Sequence, residues 1–216
     1  MAGQGRMWYA PPMSAAVKAS ASPARMTVDE FLNWESGDGL RWQLVDGEPR
    51  CMAPANRTHG SVQTRLAQLL SNRLEDQGGS CAVVTAPGIV PHMFSKYNMR
   101  VPDLAVTCSP YEFEESALTD PMLIIEILSP SNAGDTWANV WTYTTIPSMR
   151  EILVVRTDVI GCELLRRRAD NTWPSEPEAV VSGDIVLESV GFRVPLVDIY
   201  RTTRLARAHA AGGSSR

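Results

Sequence analysis

The stretch Met122-Leu123-Ile124-Ile125-Glu126-Ile127-Leu128 is apolar at every position except one. A strand that is apolar on both faces is buried on both faces, so this stretch predicts a central strand of a sheet flanked by helices. An ionised carboxylate at Glu126 would cost several kcal/mol there without a partner. Two interpretations of Glu126 follow: a buried ion pair with an arginine, or a catalytic or metal-binding group.

Cap and turn residues predict a helix and an edge hairpin near the N-terminus. Residues 27–30, Thr-Val-Asp-Glu, have the pattern of a capping box, and a short helix should run from them to about Glu35. Asp46-Gly47 favours the positive φ angles of a type I′ turn. Residues 41–45 and 48–52 should therefore form a hairpin.

Two longer helices are indicated by apolar periodicity. Val62 to Leu74 carries apolar residues at three- and four-residue spacing, and Gly78-Gly79 should end that helix. A second helix is expected at residues 136–145, capped by Asp135 or Thr136. Its expected inward face consists of Trp137, Val140, Trp141 and Thr144.

The remaining segments complete an α/β (α+β) fold with a mixed sheet and hairpins at both ends. Further strands are predicted at residues 81–85 continuing to 89–90, 101–107, 151–155 and 162–166, with short strands over 180–200. We expect residues 1–25 to be a disordered leader, 26–200 to form a single domain and 201–216 to be a flexible tail.

Composition limits the classes of function. The 216-residue chain has a formal charge of −4, so nucleic-acid binding would need a local basic cluster, such as Arg166 to Arg168 or a stripe of Arg201, Arg204 and Arg207. No apolar run is long enough to span a membrane. The four cysteines lie 27 or more residues apart and are expected to be reduced core thiols of a cytoplasmic protein.

Pro102-Asp103, with Glu126 about twenty residues later, resembles the metal-binding half of the PD-(D/E)xK nuclease superfamily. The chain is more similar still to its Uma-type restriction endonuclease branch, from about Met26 to Tyr200. The motifs that carry this resemblance are Met26-Thr27-Val28-Asp29-Glu30-Phe31, Leu44-Val45-Asp46-Gly47-Glu48, His59-Gly60, Val101-Pro102-Asp103, Ile125-Glu126-Ile127-Leu128-Ser129-Pro130-Ser131, and Tyr143 before Ile146-Pro147-Ser148-Met149-Arg150-Glu151.

The resemblance implies a restriction-endonuclease-like core that hydrolyses phosphodiester bonds of nucleic acid, with DNA the expected substrate. Asp103, Glu126 and the main-chain carbonyl of Ile127 would hold Mg²⁺ or Mn²⁺, ions that prefer oxygen ligands. The metal would polarise the scissile phosphate and activate a water. His59 would orient a phosphate or water in the same cleft, or simply bond to backbone at the helix start. A homodimer is also expected.

One feature departs from the family pattern. The superfamily lysine position is Leu128, and the position where the Uma-type branch carries a lysine is Asn139. An amide donates hydrogen bonds but carries no charge, so catalysis is expected to be impaired. Lys96, Arg57 or Arg100 could supply a cation instead. The alternative function is a catalytically inactive nuclease-fold module that binds nucleic acid or protein.

Overall fold

A computed structural model describes residues 25–110 and 116–213. The leader predicted for residues 1–25 therefore lies, apart from Arg25, outside the described residues. The helices and strands in chain order are α1 (Val28–Leu32), β1 (Trp42–Val45), β2 (Glu48–Cys51), α2 (Arg57–Gln77), β3 (Ala82–Thr85), β4 (Leu104–Thr107), β5 (Pro121–Leu128), α3 (Ala133–Tyr143), β6 (Glu151–Arg156), β7 (Cys162–Arg166), β8 (Glu178–Val180), β9 (Asp184–Leu187), β10 (Phe192–Pro195), α4 (Leu196–Ile199) and α5 (Arg204–Gly213).

A six-stranded mixed sheet forms the centre of the domain. Its strand order is β3-β4-β5-β6-β7-β8, with β5 and β6 parallel and the other neighbours antiparallel. The apolar strand β5 lies between β4 and β6, as its sequence predicts. The expected fold class, a mixed sheet flanked by helices, is confirmed.

Helices cover both faces of this sheet, and the alternation of side chains along β5 divides the core in two. Leu123 and Ile125 share one buried cluster with Leu66 of α2. Ile124 belongs to the other buried cluster, with Val140 of α3. Because side chains alternate along a strand, Glu126 points to the same face as Ile124, beneath α3.

The two predicted hairpins are present beside the main sheet. In the first, Asp46 and Gly47 have φ angles of 51° and 83°, the turn geometry that Asp-Gly favours between β1 and β2. Leu44 and Met99 exchange main-chain hydrogen bonds of 2.8 and 3.0 Å, which fix this hairpin against the segment that leads into β4. The second hairpin pairs β9 with β10.

Helix α3 differs from its prediction in start and orientation. It begins after Asn132, and its buried face consists of Thr136, Val140, Thr142 and Tyr143. Trp141 is 40% exposed, so its assignment to the core is wrong. Trp137 is half-buried against the α3-side cluster. Thr136, Val140 and Tyr143 follow one another at four- and three-residue spacing and so share the buried face of the helix. Trp141 lies off this face and points outward.

The cysteines correct another expectation. Cys81 and Cys108 form a disulfide, so the prediction of reduced thiols is wrong for this pair. The antiparallel register places the residue before β3 opposite the residue after β4, a proximity that their separation of 27 residues does not reveal. Cys51 is exposed, whereas Cys162 is a core thiol whose pKa is raised to about 12 by burial.

The C-terminal segment, for which the sequence predicts a flexible tail, contains helix α5. In α5, Leu205 and Ala206 pack against the main apolar cluster, which gives the helix a tertiary contact. No helix within residues 25–110 and 116–213 is long and apolar enough to cross a membrane.

Packing of α2 on the sheet can be tested with Leu66→Ala. The side chain is fully buried, so we expect a loss of about 2 to 5 kcal/mol in the free energy of unfolding, measured by urea denaturation. Val181→Ala is the control, because Val181 is 73% exposed and its truncation should change stability by less than about 0.5 kcal/mol. Equal effects of the two substitutions would contradict this packing.

Candidate active site

The residues predicted from the sequence converge on one cavity of about 530 Å³. The lining includes Asp103, Glu126, Ile127, His59 and Asn139. The helices α2 and α3, the end of β5 and the first hairpin all contribute to its walls. The sequence therefore identified residues that the fold brings together, although their roles remain predictions.

Asp103 stands at the point where β4 has not yet begun. Its Oδ2 accepts a hydrogen bond of 2.7 Å from the main-chain N–H of Ile127. Pairing of β4 with β5 begins only at Leu104, so this carboxylate supplies the acceptor that a strand partner would otherwise provide. Nε2 of His59 lies 2.7 Å from Oδ1 of Asp103. Gln63, four residues after His59, donates to the Asp103 carbonyl at 2.9 Å.

Glu126 is 7% exposed, and Tyr143 donates a hydrogen bond of 2.9 Å to Oε1 of its carboxyl group. Burial raises the pKa of Glu126 well above its ordinary value, and the charge of Asp103 raises it further; the Tyr143 hydroxyl and the Asp103 main-chain N–H oppose this. No ion pair to Glu126 is formed by the described residues, so the interpretation of Glu126 as a salt-bridged structural residue has no partner among them.

Asn139 faces this cavity and donates a hydrogen bond of 3.2 Å to Gln43 of the first hairpin. Both side chains in this contact are amides, so neither carries a charge. Among the described lining residues, Arg41 is the one arginine, and none is a lysine. Lys96 instead lies 5.5 Å from the ring centre of Tyr97.

Two other candidate cations also lie elsewhere. Arg100 is 5% exposed and donates to the Leu44 carbonyl. Burial lowers the pKa of Arg100, while the negative charge of Asp46 opposes that effect. Arg57 lines a different cavity. The cavity that contains Glu126 thus has no arginine or lysine in the position expected of a catalytic lysine.

The chemistry of the donor set fits a hard divalent cation. Asp103 and Glu126 offer carboxylate oxygens, and the carbonyl of Ile127 points to the same side of β5 as its N–H, towards Asp103. Oxygen ligands of this kind suit Mg²⁺ and Mn²⁺. Within the described residues, no group of three or more His, Cys, Asp or Glu side chains is arranged to hold a metal, so any such site depends on these two carboxylates and main-chain oxygen.

Sequence reasoning missed the contacts that hold the two carboxylates. The hydrogen bond from Tyr143 to Glu126 and the one from Gln63 to the Asp103 carbonyl were not foreseen. Helical spacing carried a signal for both: Gln63 follows His59 by four residues, and Tyr143 follows Asn139 by four. When one residue of a helix is a candidate site residue, the residues one turn away on the same face are therefore candidates as well.

A family model described as "Putative restriction endonuclease" matches residues 28–194. The chain belongs to this family, Uma2. Two uncharacterized Synechocystis proteins are relatives: slr1290 is 27% identical over 184 residues, covering 84% of this chain and 95% of the relative, and sll1609 is 26% identical over 152 residues, covering 68% and 84%.

A crystal structure of "a putative nuclease belonging to DUF820" from Anabaena variabilis is similar to this Uma2 chain in fold. The TM-score is 0.65, and the similarity covers 82% of this chain and 98% of the other at 16% sequence identity. This likeness shows that the two chains share a fold.

The raised pKa of Glu126 predicts how stability depends on pH. The folded chain retains the Glu126 proton above pH 4.5, where the unfolded chain has lost it. Wild type should therefore lose stability relative to Glu126→Gln as pH rises above about 4.5, by up to about 1.4 kcal/mol per pH unit until the folded-state pKa is reached. Urea denaturation in EDTA from pH 4.5 to 7.5 measures this difference.

The exposed Glu176 provides the matched control, since Glu176→Gln removes a carboxylate that is already in water. We expect its stability relative to wild type to be constant over the same pH range. A constant difference between wild type and Glu126→Gln would show that Glu126 ionises freely in the folded protein, contrary to its burial.

Proposed function

We propose that this protein is a metal-dependent endonuclease that hydrolyses phosphodiester bonds of nucleic acid. The observation that carries the proposal is the Glu126 carboxyl group, buried in a central strand beside Asp103 and open to one cavity. The nearby carboxylate of Asp103 and the cost of desolvating Glu126 both reduce the stability of the folded protein. A divalent cation would offset both, because it would attract both carboxylates. Membership of the Uma2 family supports the nuclease assignment.

In this proposal Asp103, Glu126 and the Ile127 carbonyl bind Mg²⁺ or Mn²⁺. The bound ion would polarise the scissile phosphate and favour ionisation of an attacking water. Tyr143 engages Oε1 of Glu126 and thereby fixes the orientation of the carboxylate. His59 fixes the Asp103 carboxylate in the same way through Oδ1, which makes His59 a positioning residue for the metal ligand.

Asn139 sets the expected level of activity. Its amide can donate a hydrogen bond to a phosphate oxygen but cannot neutralise charge in the transition state, and loss of a positioned charged group costs about 10²- to 10⁴-fold in rate. The neutral contact between Asn139 and Gln43 also supports a second candidate function, a nuclease-fold module that binds nucleic acid without cleaving it.

We further propose that the substrate is DNA, that the protein is cytoplasmic and that it forms a homodimer. Because the net charge of the chain is negative, DNA binding requires a local basic surface.

Metal binding is tested directly by thermal unfolding. Mg²⁺ or Mn²⁺ should raise the melting temperature of wild type because a ligand that binds the folded state alone stabilises it by mass action. Glu126→Gln should reduce this shift, since it removes one anionic ligand. Glu176→Gln should retain it. The same shift in all three proteins would overturn the assignment of Glu126 as a ligand.

Cleavage is tested by nicking of supercoiled plasmid with and without Mn²⁺. We expect slow metal-dependent nicking by wild type, none by Glu126→Gln, and an increase of about 10²-fold or more in Asn139→Lys, which restores a cation beside the carboxylates. Asn139→Met is the matched control, because it has a long side chain without charge. If no variant shows metal-dependent nicking, including Asn139→Lys, the endonuclease proposal is overturned in favour of the non-cleaving module.

A further inference from the structure

A second cavity, of about 510 Å³, lies at the beginning of α2 and α5. Three arginines line it: Arg57 from the first turn of α2, and Arg204 and Arg207 from α5. Hydroxyl groups of threonine and serine residues complete much of its surface. Residues from opposite ends of the chain thus assemble a basic, hydrogen-bonding pocket in a protein whose net charge is −4.

These arginines have no anionic partner in the described part of the chain. None of the three forms an ion pair or a side-chain hydrogen bond with any residue within 25–110 or 116–208. Asp158 also lines the cavity, but it is paired with Arg156 at 2.9 Å. Three like charges held on one surface repel each other, so a polyanion or phosphate would stabilise the arrangement.

Main-chain N–H groups at the start of α2 also favour the binding of an anion. Helix α2 has 21 residues, and its first N–H groups, those of Arg57 and Thr58, have no partner inside the helix. The side chain of Asn56 caps the N–H of His59 and leaves those two available. The N-terminal end of a helix favours anions through its exposed N–H groups and its dipole.

The chemistry of the lining indicates which part of a nucleic acid would bind. Among the described lining residues, Pro130 is the one apolar side chain, and none is aromatic. A base needs a stacking surface or a matched set of donors and acceptors, whereas a phosphate needs arginines, hydroxyls and N–H groups. The cavity therefore suits the sugar-phosphate backbone, bound without regard to base sequence.

The second cavity adjoins the candidate active site across the first turn of α2. Arg57 and His59 are two residues apart, which is about 200° around a helix, so they point to opposite sides of α2. His59 lines the Glu126 cavity and Arg57 lines the arginine cavity. One helix width of about 10 Å separates the two sides. Measured along the axis of a duplex, that distance corresponds to about three base-pair steps at 3.4 Å each.

We infer that the arginine cavity, defined by Arg57, Arg204 and Arg207, binds a backbone phosphate of the nucleic-acid substrate a few nucleotides from the bond to be cleaved. The inference rests on the proposed function, because it takes nucleic acid as the substrate. The arginine cavity also supplies the local basic surface that a chain of negative net charge needs in order to bind nucleic acid. Contacts of this kind fix the position of a strand and carry no base preference.

Binding of a short fluorescein-labelled DNA duplex to the full chain, measured by fluorescence anisotropy in EDTA at several salt concentrations, tests the inference without cleavage. In the triple variant Arg57→Gln, Arg204→Gln, Arg207→Gln, we expect affinity to fall about tenfold or more and the slope of log affinity against log salt to shrink by about 1 to 3, since each arginine that meets a phosphate releases about one counterion. Duplexes of unrelated sequence should lose affinity equally.

The matched control replaces three exposed arginines outside the cavity: Arg73→Gln, Arg150→Gln and Arg193→Gln. This variant has the same net charge as the test variant, so it should retain the wild-type salt slope. Equal losses in the two variants would overturn the inference, as would an absence of DNA binding by wild type. Circular dichroism melts of both variants check that the fold is kept, and the individual substitutions replace the triple variant if it unfolds.

Inorganic phosphate separates a small-molecule site from a strand site. If phosphate raises the melting temperature of wild type and not of the arginine-cavity variant, while DNA affinity is the same in both, the cavity takes free phosphate and the inference is overturned. DNA binding that depends on the three arginines, without metal-dependent nicking by wild type or by Asn139→Lys, supports the inference while the endonuclease proposal fails. Metal-dependent nicking together with unchanged DNA affinity in the arginine-cavity variant supports the endonuclease proposal and overturns the inference.

Discussion

The buried carboxyl group of Glu126 is the constraint on which the candidate site depends. It lies near the C-terminal end of β5, where the neighbouring residues are aliphatic, and it accepts a hydrogen bond from the hydroxyl of Tyr143. An aliphatic residue there would remove the cost of desolvation and the repulsion from Asp103. Local choices that reduce stability in this way are expected at functional sites. Helix α3, the first hairpin and the β4–β5 junction surround Glu126 and form the candidate site, which accounts for a buried carboxyl group that reduces stability.

Much of the fold could be predicted because local signals agreed with global packing. The apolar run of β5 indicated a central strand, Asp46-Gly47 indicated the first hairpin, and the periodicity of α2 indicated a helix ended by Gly78, whose φ is 65°. The site residues could be proposed because family motifs mark them and because a carboxylate within an apolar strand is conspicuous. Periodicity failed at Trp141, since large aromatic residues can lie at the rim of a helix face as well as at its centre.

The features that could not be predicted depend on long-range register and on the placement of separate elements. The disulfide follows from how β3 aligns with β4, and the arginine cavity from how α5 docks beside the start of α2. Net charge conceals this arrangement, because it averages an acidic cavity and a basic one into a single value. Electrostatic character on opposite sides of α2 is therefore a property of the tertiary structure that composition cannot express.

Asp103 has a consequence for how this protein can change over evolution. Its carboxylate bonds to the Ile127 N–H where β4 has not yet begun, and so extends the pairing between β4 and β5. Selection for folding alone would retain this aspartate in a lineage that had abandoned catalysis. Persistence of Asp103 among descendants is thus a poor marker of enzymatic competence, and substitutions there would mix loss of folding with loss of chemistry. Drift at Glu126, which the sheet does not need, would be the earlier sign that the ancestral activity had been relinquished.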